Sequence, residues 1–121
     1  MPNKFNLADS PGWRAAYAKG LDIIEPFLRE MLYGKAYRLY FKDGTQIIAK
    51  LLSSSDSDNG LDLDNPDYEE LYEFDFKVIK IEKKGTQLNY REGQWIILDY
   101  RDFFYRFEPY EKLHKYVKNV Q

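Results

Sequence analysis

Hydrophobic positions near the N-terminus recur at helical spacing. Trp13, Tyr17, Leu21 and Ile24 are separated by three or four residues, which is the period of a helix with one apolar face. The pattern predicts a helical segment over residues 10–33.

Proline divides this segment in two. Pro26 lacks a backbone N–H and its ring clashes with the preceding turn, so the helix interior does not accept it without a kink. We therefore expect a break near Glu25 and a second short helix that carries Phe27, Leu28, Met31 and Leu32. Gly34 is placed to close that second helix.

From residue 35 the hydrophobic period changes to strict alternation, which is typical of a strand. One face carries Tyr37, Leu39 and Phe41, and the other carries Arg38, Tyr40 and Lys42. Asp43-Gly44 is a preferred two-residue connection between antiparallel strands, and Thr45 to Leu52 forms the next apolar run. The sequence therefore predicts a tight β-hairpin.

Residues 53–70 are rich in Ser, Asp and Asn, which favour turns. They predict an exposed acidic loop with a short strand from Leu61 to Asp64. A long strand should follow from Tyr72 to Ile81. Its apolar phase slips by one residue after Val78, which indicates a bulge.

Further strands are predicted toward the C-terminus. They are Thr86 to Tyr90, Gln94 to Tyr100 and Phe103 to Phe107, followed by a short helix over residues 109–120. The strand from Gln94 to Tyr100 is apolar on both faces, so we expect it to be central in the sheet.

Short, closely spaced strands without intervening helices favour a small, partly open antiparallel β-barrel. The predicted class is α+β, mainly β, with the barrel over residues 35–107 and helices at both ends. A chain of 121 residues fits one domain, and a doubly wound α/β fold is excluded.

The composition indicates a reducing compartment. The chain has no cysteine, which excludes disulfides, thiolate nucleophiles and Cys-based metal sites. Residues 1–10 are polar, and no apolar run approaches the roughly 20 residues needed to span a bilayer. We expect a cytoplasmic protein without a signal peptide and without a membrane partner.

The charges are distributed unevenly along the chain. Residues 53–76 contain nine acidic residues and no basic one, whereas the remainder carries 18 basic and 11 acidic residues. Local potential, rather than the net charge of −2, governs encounters with charged partners.

Catalytic and metal-binding patterns are weak. The single histidine, His114, lies among lysines near the C-terminus, and no phosphate-binding glycine pattern occurs. The acidic segment has oxygen ligands, but its spacing places Pro66 where the bidentate glutamate of an EF-hand belongs. We predict no catalytic residue, no metal and no cofactor, and the protein is not expected to be an enzyme.

Cationic and aromatic residues alternate on the predicted strand faces, an arrangement typical of surfaces that hold single-stranded nucleic acid. The candidate RNA-binding residues are Arg38, Tyr40, Lys42, Lys80, Lys83, Lys84, Arg101, Tyr105 and Arg106. The alternative interpretation is that Tyr40 and Tyr105 are half-buried sheet residues and that the cations serve solubility.

One partial resemblance is to the first motif of Sm-like proteins. That motif consists of Gly-Lys, an alternating strand, Asp-Gly, a second strand and an Asp-x-x-Asn loop. The corresponding elements of this chain are, in order, Gly34-Lys35, Tyr37 to Lys42, Asp43-Gly44, Thr45 to Leu52 and Asp56 to Asn59. In the second motif, the Ile-Arg-Gly turn is replaced by a run over residues 81–85. The resemblance implies an RNA-binding barrel.

The size, the helix-first order and the aromatic barrel also resemble the PrgU-type regulators of Gram-positive conjugative plasmids. That resemblance implies a PUA-like barrel, RNA binding and post-transcriptional restraint of surface-adhesin expression.

Three functions follow from these patterns. The first is a non-enzymatic RNA-binding regulatory module. The second is a protein-protein interaction or assembly module, including a homo-oligomer, that docks through the acidic loop or a strand edge. The third is a hydrolase that uses carboxylate pairs such as Asp99 with Asp102.

Overall fold

A computed structural model describes residues 18–110 of the chain. Its elements are helix α1 (Leu21–Glu30) and strands β1 (Ala36–Tyr40), β2 (Gln46–Asp58), β3 (Glu70–Lys83), β4 (Trp95–Leu98) and β5 (Arg106–Pro109). The strands form one sheet in the order β4-β3-β2-β1-β5, and every neighbouring pair is antiparallel. The mainly-β class is confirmed. Within residues 18–110 the sheet is open, so the barrel remains a prediction.

Helix α1 continues through Pro26, so the predicted break near Glu25 is wrong. The chain bends earlier, at Gly20, whose carbonyl accepts the first helical hydrogen bonds from Ile23 and Ile24. Phe27, which follows the proline, is completely buried. Burial of that ring is worth about as much as the roughly 3 kcal/mol that an interior proline costs, and the helix is therefore retained.

Aromatic rings form much of the core between α1 and the sheet. The Phe27 ring contacts six other aromatic rings, with centroid separations of 5.0–6.1 Å: Tyr37, Phe74, Phe76, Phe103, Phe104 and Phe107. Five of these contacts are edge-to-face or nearly so, which is the favoured arrangement for ring pairs. Phe27 is thus the main aromatic contact of the helix with the sheet, and Ile24 of the same helix is buried beside it in the core.

The predicted hairpin is present, but its connection has three residues rather than two. Phe41 N–H donates to the Thr45 carbonyl at 2.9 Å, which encloses residues 42–44. Gly44 has φ of +97°, the left-handed conformation that glycine adopts without a steric penalty. The Asp43 carboxylate accepts from the backbone N–H groups of Thr45, Gln87 and Leu88 at 2.7–2.9 Å.

Asp43 also explains why the predicted strand from Thr86 to Tyr90 is absent. The Thr86 N–H donates to the Asp43 carbonyl at 3.2 Å, and the side chain binds the next two amides. These donors are no longer free for a strand ladder, and the segment is an irregular loop.

The phase slip predicted after Val78 is a bulge at Ile79. Ile48 pairs with Lys80 and Ala49 with Val78, which leaves Ile79 unmatched. Because the bulge adds one residue to β3, the side chain of Ile81 again points toward the core, as that of Val78 does before the bulge.

Two strands toward the C-terminus differ from the prediction. The last described strand is shifted to Arg106–Pro109, and the strand predicted from Gln94 to Tyr100 shrinks to Trp95–Leu98. This β4 is an edge strand of the described sheet rather than a central one. Apolarity on both faces was misleading, because Trp95 and Ile97 are exposed to solvent. Residues 10–17 of the predicted N-terminal helical segment and residues 111–120 of the predicted C-terminal helix lie outside the described residues. Pro109, the first residue of the predicted C-terminal helix, belongs to β5.

Candidate functional site

The two longest strands extend beyond the rest of the sheet as an acidic arm, defined here as residues 53–76. Strand β1 pairs with β2 only as far as Lys50, and β4 pairs with β3 only from Phe74 onward. Residues 55–58 and 70–73 therefore pair with each other and have no further strand beside them within the described chain. The arm is a two-stranded ribbon with a loop at its tip.

Regular pairing in this ribbon corrects the prediction of a loop over 53–70 with a strand from Leu61 to Asp64. Ser55 pairs with Glu73 and Asp58 with Glu70, whereas residues 61–64 form no strand. The cross-strand partner overrides the turn preference of Ser and Asp, because strand propensity depends on context.

Hydrogen bonds within the arm shape its tip. The Asp58 carboxylate accepts from Gly60 N–H at 2.8 Å, and Asn65 Oδ1 accepts from Asp67 N–H at 2.7 Å. Asn59 Nδ2 donates to the Asp67 carbonyl across the loop at 2.8 Å. The loop thus has a defined conformation that presents its charges outward.

Nine carboxylates make this arm the most acidic part of the chain. The exposed ones are Asp56, Asp58, Asp62, Asp64 and Asp67, and the half-buried ones are Glu69, Glu70, Glu73 and Asp75. Leu63 is 78% exposed at the tip among them. In the described part of the chain, no group of three or more Asp, Glu or His side chains is arranged to hold a metal ion.

The loop end of the arm's ribbon is tied to Lys19, which lies just before α1. The Lys19 ammonium forms an ion pair with Glu69 and donates to the Tyr100 hydroxyl at 2.7 Å. Tyr100 in turn donates to Glu69 at 2.7 Å. The hydrogen bond from Lys19, assisted by Tyr100, lowers the pKa of Glu69. These contacts hold the loop end of the ribbon against Lys19 and Tyr100.

Four of the predicted RNA-binding residues lie close together at the outer face of the sheet: Arg38, Tyr40, Tyr105 and Arg106. Carboxylates of the protein itself already bind two of them, Arg38 and Tyr40. Arg38 binds both Glu82 oxygens at 2.7 and 3.0 Å and Glu108 at 2.8 Å. Tyr40 is half-buried and donates to Glu108 at 2.8 Å. The Arg106 guanidinium lies 4.5 Å from the centre of the Tyr40 ring, and the Tyr105 ring lies 6.4 Å from it.

The other candidates are dispersed. Arg101 is bound by the Asp99 carboxylate at 2.7 and 3.0 Å. Lys83 and Lys84 lie at and after the end of β3, beside Arg91 and Glu92. Lys42 lies in the hairpin loop, and Lys80 is exposed on β3. The structure thus brings Arg38, Tyr40, Tyr105 and Arg106 together but does not gather all nine residues into one stacking surface.

The Arg38 cluster has a pH dependence that can be measured. Hydrogen bonds from Arg38, together with the Gln46 amide and against the effect of burial, hold the pKa of Glu82 down to about 2. Because the folded-state pKa lies below the ordinary 4.5, the stabilisation is complete above that pH and is lost as the pH falls toward 2.

We expect Glu82→Gln to lower the free energy of unfolding at pH 7 by about 1–3 kcal/mol, since Arg38 loses a bidentate ionic partner. The variant should also lose stability less steeply than the wild type between pH 4.5 and 2. Urea denaturation across this range measures both effects, with Asp64→Asn at the arm tip as a control for the loss of one carboxylate. An acid limb identical to that of the wild type would contradict the ion-pair assignment.

Trp95 and Ile97 were missed as functional candidates by the sequence reasoning. Their side chains are 61% and 51% exposed on β4, next to the acidic arm. The sequence does show an uncharged apolar run from Trp95 to Leu98. Such a run occurs both in buried central strands and in exposed edge strands that bind a partner, so the pattern alone does not distinguish them.

Comparison with protein families identifies one match. The family model described as "Cognate immunity protein YxxD" matches residues 22–106. No curated protein and no solved structure matches the chain. Within residues 18–110, no helix is long and apolar enough to cross a membrane.

The family match corrects the functional predictions. The resemblance to PrgU-type plasmid regulators and the RNA-binding function are wrong, because the matched family is one of immunity proteins, whose partner is a toxin protein. The plasmid-conjugation role and the RNA binding implied by the Sm-like resemblance are wrong for the same reason. The PUA-like or Sm-like type of the barrel stays a prediction. Among the three functions considered, protein-protein interaction fits the family best.

Proposed function

Since this chain belongs to the YxxD family of cognate immunity proteins, we propose that it protects a cell by binding one toxin protein tightly and blocking it. The neutralisation needs no catalysis by the chain itself. Binding alone suffices when the partner covers the surface through which a toxin reaches its target.

The acidic arm is the observation that carries the choice of surface. Nine carboxylates without a single cation form a potential that attracts a positively charged partner and repels an acidic one. The loop end of the ribbon is held by Lys19 and Tyr100 through Glu69, so little conformational entropy is lost when the arm docks. We therefore assign the arm as the first contact with a basic surface of the toxin.

A rescue screen tests the proposed function. Genomic fragments from the source of this chain are expressed in a host with and without the chain, and fragments tolerated only in its presence encode the cognate toxin. We expect at least one such fragment and a stable complex of its product with the chain. If no toxic fragment is rescued, the immunity function is rejected.

Neutralising three charges tests the role of the arm. The triple variant Asp62→Asn, Asp64→Asn and Asp67→Asn should bind the rescued toxin about tenfold more slowly at low ionic strength, because steering by charge weakens. The difference should vanish at high salt. Stopped-flow association measures the rate.

The matched control removes the same charge from α1 by Asp22→Asn, Glu25→Gln and Glu30→Gln. If both triple variants slow association equally, net charge rather than the arm attracts the toxin. In that case the arm is not the contact surface.

A further inference from the structure

Strand β4 presents an open edge. It is the last strand on one side of the sheet and pairs only with β3 in the described part of the chain. An open edge carries unpaired backbone donors and acceptors, which another extended chain can pair with.

Two hydrogen bonds establish which groups of β4 point outward. Val78 donates to the Gln94 carbonyl at 2.8 Å and accepts from Gly93 N–H at 2.7 Å. Because bonded and non-bonded pairs alternate in an antiparallel ladder, Ile96 and Leu98 bond toward β3. The N–H and C=O groups of Trp95 and Ile97 therefore point to the open edge.

The same two residues expose large apolar side chains. Trp95 is 61% and Ile97 51% exposed, whereas the alternating Ile96 and Leu98 are 5% and 1% exposed. Natural edges are usually protected by lysine, proline or a bulge, and none of these occurs within Trp95–Leu98. The edge thus offers backbone pairing and two side-chain anchors, the two requirements for strand addition.

Neighbouring charges indicate what binds there. On the same face Asp75 lies directly across from Ile97 and accepts from the Trp95 indole N–H at 3.5 Å. Asp75 belongs to the acidic arm, which continues along β3 with Glu73. A segment laid along β4 therefore meets apolar contacts first and carboxylates beyond the Leu98 end.

We infer that β4 is a strand-addition site for an extended segment of the cognate toxin, with apolar residues at alternate positions followed by lysine or arginine. This inference rests on the proposed immunity function and gives it a binding geometry. In the complex, Trp95 and Ile97 pair through their backbone while their side chains pack against the apolar residues, and the arm binds the cations.

Amide hydrogen exchange tests the backbone pairing, with the toxin recovered by the rescue screen as the probe. The Trp95 and Ile97 amides should exchange quickly in the free protein and slowly in the complex, whereas those of Ile96 and Leu98 should be slow in both. Protection of all four amides in the free chain would show that the edge is already covered, by this chain or by a second copy, and would overturn the inference.

Variants test the same site by affinity. Trp95→Ala should weaken the complex by about 30-fold, as expected for an aromatic anchor. Ile97→Pro removes one outward N–H, a change that edge strands accommodate, and should weaken it similarly. Leu32→Ala, at a side chain that is 57% exposed at the end of α1, should change it by less than about threefold.

The two proposals can fail separately. If the wild type rescues cells and Trp95→Ala and Ile97→Pro, shown to be folded by circular dichroism, rescue and bind equally well, immunity stands and the strand-addition site is rejected. If the wild type rescues no toxic fragment, both proposals fall.

Discussion

Replacement of Phe27 by alanine should lower the free energy of unfolding by about 3–5 kcal/mol. The ring is fully buried and contacts six other aromatic rings from the sheet and from the segment that precedes and includes β5. Its removal leaves a cavity that neighbouring rings fill only in part. Since small domains have about 5–15 kcal/mol of stability in total, the variant should be close to unfolding at 37 °C.

Urea denaturation of Phe27→Ala beside Leu21→Ala measures this effect. Leu21 lies on the same helix but is 44% exposed, so its truncation should cost less than about 1 kcal/mol. Phe27→Leu, which keeps most of the apolar volume, should lie between the two. Equal stabilities for Phe27→Ala and Leu21→Ala would contradict the docking of α1 on the sheet.

Replacement of Asp43 by alanine should cost about 2–4 kcal/mol, because three backbone N–H groups lose a charged acceptor. The hairpin loop and the segment over 85–88 are held together by this one side chain. Partial burial opposes ionisation of Asp43, but the bonds from Leu88, Thr45 and Gln87 outweigh it and hold the pKa well below its usual range.

The lowered pKa gives the sign of the pH effect. The contribution of Asp43 is complete above the ordinary value of 3.8 and is lost as the pH falls below it. Asp43→Asn should therefore be destabilised at pH 7 and lose less stability than the wild type on acidification. Thermal unfolding from pH 7 to pH 2 measures this, with Asp64→Ala at the exposed tip as control. If Asp43→Ala unfolds like the control, the loop over 85–88 does not depend on Asp43.

Elements with a strong local signal were predictable from the sequence. The alternation from Tyr37 to Phe41 fixed a strand, and Asp43-Gly44 fixed the hairpin. The one-residue slip after Val78 located a real bulge. In each case the deciding information lies within a few residues of the feature.

Features that depend on distant partners were not predictable in this way. The arm ribbon forms because Ser55 finds Glu73 across the strand pair, against the turn preference of its own segment. The strand predicted over residues 86–90 is lost to a carboxylate more than 40 residues earlier in the chain. No local pattern contains that contact.

The candidate site shows the same limit. The sequence located the acidic segment, which was part of the alternative hypothesis, but the cation pattern pointed to RNA. Arg38 illustrates why: its partners Glu82 and Glu108 lie 44 and 70 residues away. Sequence spacing alone does not distinguish a guanidinium available to a ligand from one bound by carboxylates of the same chain.

The strand order also has a consequence for how the chain is made. Strands β1 to β4 pair in the order of synthesis, whereas β5 must cross the sheet to reach β1. Bringing β5 to β1 closes a loop of more than 60 residues, and the entropy that this closure costs is offset only when the β1–β5 contacts form. Among the described strands, the outer edge of β1 therefore has no partner on the ribosome until residue 109 has been synthesised. A nascent chain with such an open edge is prone to aggregate during that interval.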